Sequence, residues 1–342
     1  MRLNRLLYFG YYLKNLDSEK FKKFVDYLKV KSKASKFKIH IRVLKDSLRY
    51  NISILEYFQF QFYNKSSKEK IQWAGTGYMY EYQKVMNPPS SREVLDDKTK
   101  FYKAYLKYFK HHALDINDIR EKPEFVKEML AMPKVVLKES KGKCGLGTAF
   151  IETIDLDSSS LIELMEKEGY DLAETYITQH PELNRLSPSG VNTVRIFTQL
   201  NSRNEVELLG CRQRISVDSP IDNLAAGNLA APIDEETGII NGPGIYSDIT
   251  KAPEVLHPVT GVSIVGFQVP LWEECKQLAV DAALEHPENR SIGWDIVVTE
   301  NGPGLIEGNH DWCKLVWQLP VYQGLKHLLD KHLVELNNSK YV

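Results

Sequence analysis

Hydrophobic positions change their period along this chain, and the changes divide it. Between residues 17 and 28, Phe21, Phe24, Val25 and Leu28 recur at i, i+3, i+4 and i+7, with Asp17 placed to cap the turn before them. That spacing predicts an amphipathic helix. Helical character is expected to continue to about residue 85, and Asn87-Pro88-Pro89-Ser90-Ser91 reads as a boundary. A helix-like run spans 101–109. From residue 123 short apolar runs replace the helical period. They predict strands at 134–138 and 148–154, a helix around 161–168, and long strands at 191–200 and 205–216. The stretch 217–261 is rich in Gly and Pro, with few regular signals. Loops of that length inside compact domains are usually functional. A helix is predicted at 271–285 and another at 323–336.

Between those two helices lies the most distinctive pattern. Gly293-Trp294-Asp295-Ile296-Val297-Val298-Thr299 and Leu305-Ile306-Glu307-Gly308-Asn309 flank Glu300-Asn301-Gly302-Pro303-Gly304. Two apolar runs around such a turn predict a β-hairpin. Glu307 and Asn309 are two apart on a strand and share a face. Asp295 joins that face if the turn has odd length and centres near Asn301. Two carboxylates and an amide at one spot suit Mg²⁺, a hard cation that prefers oxygen. The alternative is a hairpin with an ordinary wet side.

Composition narrows the class. The chain has 342 residues, 43% hydrophobic and 26% charged, as in ordinary globular proteins. The formal net charge of -1 hides an asymmetry, because residues 1–50 hold 14 Lys and Arg against 4 Asp and Glu. That segment is a candidate contact surface for a membrane face, a phosphorylated substrate or another protein. A solvated, packed helix face is the plainer alternative. Cys144, Cys211, Cys275 and Cys313 form no CxxC pair, which fits a reducing cytoplasm and no zinc site. Leu6–Leu13 and residues 52–63 fall short of the ~20 apolar residues a spanning helix needs. A cytoplasmic location and no nucleic-acid partner are expected.

Several further segments can carry chemistry. Lys138 ends a predicted strand and is followed by the glycine loop 142–147, whose amides can approach phosphate oxygens. No Gly-Lys-Ser/Thr closes it, and a strand rather than a helix follows, so it is neither a P-loop nor a dinucleotide fingerprint. A hairpin tip is the alternative. Arg195, Arg212 and Arg214 lie in largely apolar strands. An arginine aimed at a sheet face needs an anion, either a structural carboxylate or a phosphate. Trp294, Trp312 and Trp317 can stack on a sugar, although core packing is the simpler expectation. His257 and His310 accompany polar turns and are candidates for acceptor recognition or for structural hydrogen bonds.

The order of these elements resembles the ATP-grasp fold. Residues from about 96 to 328 resemble the sugar-transfer-associated ATP-grasp family, found with bacterial exopolysaccharide and capsule genes. The likeness rests on Asp97-Lys98 with Phe101, Gln179-His180-Pro181-Glu182 and Val191-Asn192-Thr193-Val194-Arg195. It also rests on Asp222-Asn223 with Gly227, His257-Pro258 with Gly261, and Gly293-Trp294-Asp295 with Glu307-Gly308-Asn309. More distantly the chain is similar to ribosomal-protein glutamate ligases and D-alanine–D-alanine ligase. The resemblance implies an α+β fold of two subdomains clasping ATP, over residues 91–342, after a basic helical region at 1–90. The lid subdomain would span about 123–173 and the second about 174–330.

The resemblance also implies roles. Lys98 and Lys138 would hold the α- and β-phosphates, with Gly145 in the closing loop. Glu174, Tyr176 and Ile177 would form the hinge that reads adenine, and Glu182 would hold ribose. Asp295, Glu307 and Asn309 would bind Mg²⁺, two ions by analogy. Arg195, Arg212 and Asn223 would steady the transferred phosphate. Related ligases often carry an arginine two residues before the metal aspartate, where this chain has Gly293, so Arg195 or Arg212 must supply that charge. The implied reaction is ATP-dependent joining of a carboxylate, such as a uronic acid or other glycan carboxylate, to an amine. A kinase on a related fold and a catalytically degenerate nucleotide-binding scaffold are the rival expectations.

Overall fold

A computed structural model describes residues 3–142 and 147–339. Gly145, expected in the phosphate loop, lies outside the described residues.

The N-terminal region is helical, as its periodicity predicts. Helices α1 (Leu3–Lys14), α2 (Ser18–Ser32) and α3 (Lys36–Tyr50) lead it. Asp17 caps α2 by accepting the Lys20 amide at 2.9 Å, and Ser35 caps α3 through Lys38. Phe24, Val25 and Leu28 of α2 pack with Ile39 and Val43 of α3 and with Phe58, Phe60 and Phe62. The same cluster takes in Ile245 and Leu319 from far along the chain. A fourth helix, α4 (Thr76–Met86), buries Met79, Tyr82 and Met86 against Phe197, Trp312 and Trp317.

A buried ion pair, Lys314 Nζ to Glu56 Oε1 at 3.0 Å, also joins the helical region to the rest. Gln318 exchanges two 3.0 Å hydrogen bonds with the backbone of Ala74. The helical region is thus built into the main core.

Two antiparallel sheets make up the remainder. The smaller has the order β1-β4-β2-β3, with β1 Ala113–Asp115, β2 Lys134–Lys138, β3 Thr148–Glu152 and β4 Leu172–Thr175. Helices at Ile116–Glu121, Pro123–Leu130 and Ser158–Glu168 supply its core with Ile119, Val126, Met129, Leu161 and Met165. The larger has the order β7-β6-β5-β8-β9, with β5 Val194–Leu200, β6 Val206–Ile215, β7 Leu229–Ile233, β8 Ser291–Thr299 and β9 Gly302–Asn309.

Strand alternation divides the larger sheet into two faces. Val194, Ile196, Cys211, Trp294 and Ile296 point one way, onto the helix Trp272–Glu285. The opposite face is covered at one end by Phe197, Trp312 and Trp317 and carries charged residues at the other. The three tryptophans are therefore core residues, as the simpler expectation had it.

The structure departs from the sequence pattern in three places. The predicted irregular stretch contains an edge strand, β7, whose Leu-Ala-Ala-Pro-Ile sequence has little β-propensity and is held by pairing with β6. The run at 101–109 is a helix only over Lys98–Ala104, followed by a single 3₁₀ turn. The hairpin loop has two residues, Glu300 and Asn301, rather than an odd number, because Thr299 pairs with Gly302.

Candidate active site

The even loop alone would put Asp295 and Glu307 on opposite faces. A bulge after Asp295 restores the match: Ile296 pairs with Leu305, but Asp295 pairs with Glu307, leaving Ile306 as the extra residue. Pairing continues across the sheet, Asp295 to Arg195 and Arg195 to Arg212. Directly paired residues point to the same face. One transverse row therefore holds Arg212, Arg195, Asp295 and Glu307.

Three of these converge. Arg195 forks onto Asp295, Nε to Oδ1 at 2.5 Å and Nη2 to Oδ2 at 2.7 Å. Arg214, two residues beyond Arg212, donates to Asp295 Oδ2 at 2.8 Å and to Asp222 at 2.7 Å. Asp222 also accepts the Thr193 amide and hydroxyl. Asp295 is 2% exposed. Burial opposes its charge, but Arg195 and then Arg214 outweigh burial and hold the carboxyl far below its usual range. Glu307 is pushed the other way, by burial and by the charge of Asp295. Burial likewise raises Asp222, despite Arg214.

Arg212 does not join them. Its guanidinium donates to the Trp317 carbonyl, from Nε at 3.1 Å and Nη2 at 2.6 Å, and to its own neighbour's carbonyl. Burial lowers its pKa to about 10. The resemblance implies a phosphate contact for Arg212; here its side chain anchors the last turn of the helix Lys314–Gln318 to the sheet. Arg214 occupies the charged end, and strand alternation alone could not separate the two, since both face the same way.

Gly293 explains how an arginine can reach the site without standing at that position. A Cβ there would meet Trp312 Cβ at 2.7 Å and Arg195 Cδ at 3.4 Å. The space is already filled, partly by the stem of Arg195 arriving from the neighbouring strand.

Lys98 connects this row to the smaller sheet. It is the first residue of the helix Lys98–Ala104, which Asp97 caps through Thr99 and Lys100. Phe101 of that helix fits over Gly308, where a Cβ would meet its ring at 3.1 Å. The Lys98 ammonium donates to the carbonyls of Glu139, at 3.1 Å, and Gly142. Burial lowers its pKa, while Glu307, Lys138 and Glu174 all act on its charge. Lys98 therefore lies between the two sheets.

On the smaller sheet Lys138 pairs with Glu174 at 2.6 Å. Burial works against the Glu174 charge, yet Lys138 and then His111 hold it below the usual carboxylate range. Glu174 lies between β1 and β2, paired with Ala113 and Val136, so its peptide groups face other strands. This corrects its expected place in an adenine-reading hinge. Tyr176 and Ile177 follow the end of β4 and are half-buried.

Glu182 lies in the first turn of the helix Pro181–Leu186, exposed and paired with Arg185 at 2.7 Å. Asn223 caps the short turn Leu224–Ala226, next to Asp222. His257 is structural, bonded to the Ser216 carbonyl and the amides of Val259 and Thr260. His310 pairs with Asp96 at 3.0 Å. His111, absent from the sequence reading, is 8% exposed and 3.6 Å from Glu174. Only its place beside the Lys138 pair distinguishes it.

The fit to a hard cation can be judged from the carboxylates. Among the described residues no group of three His, Cys, Asp or Glu side chains is placed to hold a metal ion by itself. Mg²⁺ typically takes only one or two protein carboxylates, with phosphates and waters completing its shell. Asp295 offers about four acceptor positions, of which the arginines take three. Glu307 lies at the remaining side, where burial and then the charge of Asp295 raise its pKa, and a cation there would relieve that repulsion. Asn309 Nδ2 lies 3.1 Å from Glu307 Oε1. Amide oxygen and nitrogen are interchangeable assignments, so the amide can also turn its oxygen to a cation. The residues fit.

Two antiparallel sheets, with Lys138 on one, an acidic hairpin on the other and Lys98 between them, are the layout expected of an ATP-grasp protein. The family model for sugar-transfer-associated ATP-grasp proteins matches residues 78–333. The chain belongs to that family.

Solved structures with a similar fold include D-alanine–D-alanine ligase from Bacillus anthracis, 15% identical over 79% of each chain, with a TM-score of 0.42. The D-alanine–D-alanine ligase from Helicobacter pylori is 13% identical, over 71% of this chain and 61% of that one, at 0.42. N5-carboxyaminoimidazole ribonucleotide synthetase, solved with ADP, is 11% identical at 0.38; the match covers 63% of this chain but only 45% of that protein. No curated protein matches. Among the described residues no helix is long and apolar enough to cross a membrane.

Proposed function

We propose that the protein is an ATP-dependent carboxylate–amine ligase. The observation that carries this reading is the buried group of Arg195, Asp295, Arg214 and Glu307, with Lys98 between it and Lys138. Phosphoryl transfer asks a protein mainly for positioning and charge neutralisation. A substrate carboxylate oxygen would attack the γ-phosphorus of ATP, releasing ADP and forming an acyl phosphate. An amine would then attack the acyl carbon, expelling phosphate and losing a proton, to leave an amide.

Lys98 and Lys138 would hold the α- and β-phosphates, Tyr176 and Ile177 would receive adenine, and Glu182 would reach ribose. Asp295, Glu307 and Asn309 would hold Mg²⁺, which when bound neutralises phosphate charge. Arg195, already aimed at the row, would take the phosphate charge that Gly293 cannot, and Asn223 would lie beside it with Arg214.

A uronic acid or other glycan carboxylate as substrate, in cytoplasmic steps of capsule or exopolysaccharide assembly, accords with the family description. The test is ADP release against a panel of uronic acids and amines. Free phosphate with an amide product supports the ligase. Phosphate retained on the acceptor would mean a kinase, and stabilisation by MgATP without any turnover would mean a binding scaffold.

A further inference from the structure

The strongest unassigned feature is a pair of joined recesses on the helical region. The first, about 310 Å³, is lined by Arg42, Lys45, Arg49, Lys65 and Lys70 against one carboxylate, Asp46. Arg42, Lys45 and Arg49 stand at i, i+3 and i+7 of α3 and so share one side of the helix. The second, about 470 Å³, lies between the helical region and the segment 245–253. Tyr63 and Lys65 line both, which makes the two recesses one continuous groove.

Rings and ammonium groups alternate along the second recess. Lys31 lies 5.4 Å from the Tyr27 ring, Lys65 5.2 Å from Trp73 and Lys251 4.3 Å from Tyr246. The two carboxylates of the groove are already neutralised, Asp46 by Lys70 at 2.7 Å and Asp248 by Lys23 at 2.5 Å. Among the described residues Arg42, Lys45, Arg49, Lys31, Lys65 and Lys251 form no ion pair. Unneutralised positive charge in a concave site favours an anionic occupant. Burial lowers the Lys65 pKa, and the charge of Glu69 offsets it only in part.

The groove wall is also hydrogen-bonded to the turn beside the proposed active site. Ser247, on its wall, accepts from Gln59 at 3.1 Å and donates to the Leu224 carbonyl at 3.2 Å. Leu224 follows Asp222 and Asn223, and Asp222 holds Arg214.

We infer that this groove binds a carboxylate-bearing oligosaccharide, its sugar rings against Tyr63 and Tyr322 and its carboxylates against Arg49, Lys65 and Lys251. Flat polyhydroxylated rings joined to repeated negative charge match alternating aromatic faces and cations. A bilayer is the poorer match, because the rings and Lys65 are withdrawn into a recess rather than raised on a flat patch. The inference rests on the ligase reading only in making the groove the approach of the substrate to the site; binding itself requires no turnover.

Calorimetric titration of the full chain with a galacturonate hexamer, and with maltohexaose as the neutral control, tests it. The acidic hexamer is expected to bind and the neutral one not to. Arg49→Glu with Lys65→Glu should weaken binding about tenfold or more, and Tyr63→Ala should weaken it too, both with MgADP affinity unchanged. Several outcomes would overturn the inference. They are no binding by protein that still binds MgADP, equal binding of both hexamers, or charge reversal without effect. Capture by anionic phosphatidylserine vesicles, lost on the same charge reversal while the hexamer does not bind, would assign the groove to a membrane instead. Failure of the ligase reading is distinguishable, since it would abolish ADP release while leaving hexamer binding intact.

Discussion

On the large sheet, Asp295 is gripped by two guanidinium groups through three short hydrogen bonds, and each arginine is itself fixed by neighbouring strands. On the small sheet, Glu174 meets a single flexible lysine, with His111 at 3.6 Å. The first arrangement is built before any ligand arrives. Guanidinium forks on paired strands leave little freedom, so the charged row can stabilise a transferring phosphate without reorganising. The second can change: among the described residues Lys138 has one close acidic partner, Glu174, to exchange for a phosphate, and the Lys98 ammonium bonds to carbonyls. On the proposed function the rigid half would set the position of the γ-phosphate and the adjustable half would hold the rest of the nucleotide.

Breaking the rigid half should have the largest effect. Asp295→Ala leaves two buried guanidinium groups without their carboxylate and is expected to cost about 3–5 kcal/mol of stability, with ADP release abolished. Urea unfolding and a coupled ADP assay check both. Glu307→Gln separates function from stability. It should lower ADP release at least ~10²-fold, by analogy with losing one charge stabiliser. Its melting temperature should hold or rise, because burial and Asp295 already disfavour the Glu307 charge. A large drop in melting temperature would mean that Glu307 is structural.

Gly293→Ala forces a methyl against Trp312 and the Arg195 stem, for an expected loss of about 1–3 kcal/mol. ADP release should fall with it, as Arg195 is displaced; unchanged kinetics would contradict the view that Arg195 fills the Gly293 position.

The adjustable half should show itself in pH. The folded pKa of Glu174 lies below its unfolded value. Its pairing therefore contributes stability above the unfolded value of about 4.3, lost as pH falls through that value toward the folded one. Glu174→Gln should lower stability at pH 7 by about 2 kcal/mol and flatten the acid limb of a urea-stability profile. An unaltered acid limb would show that the Lys138 pair does not form in solution. The smallest effect is expected at Arg212. Arg212→Lys should reduce the melting temperature modestly, through the Trp317 carbonyl, and leave the KM for ATP unchanged.

The same contrast governs what the sequence made legible. The acidic hairpin could be read because its ligands keep a strand spacing and its turn is rich in Asn, Gly and Pro. Its register could not, since a single bulged residue, Ile306, decides whether Asp295 faces Glu307. Helix α2 and its Asp17 cap were readable because local spacing settles them. Strand β7 was not, because Leu-Ala-Ala-Pro-Ile becomes a strand only through its neighbour β6. Arg212 and Arg214 share a sheet face and a composition, and only the tertiary positions of Trp317 and Asp222 send them to different partners. Glu174 looked like part of a hinge until its pairing with Ala113 and Val136 placed it inside a sheet. The role of the helical region was hidden for the same reason, as Glu56 and Lys314 meet only in the folded chain.

The central claim is an acyl-phosphate route on the charged row, and oxygen transfer tests it most directly. With ATP, Mg²⁺, an amine and a uronic acid labelled with ¹⁸O in its carboxylate, the protein should release ADP and inorganic phosphate. One labelled oxygen should pass from the acid to each phosphate, with amide formed in equal amount. Phosphate free of label, or no phosphate release from protein that binds MgATP across the panel of acids and amines, would contradict it.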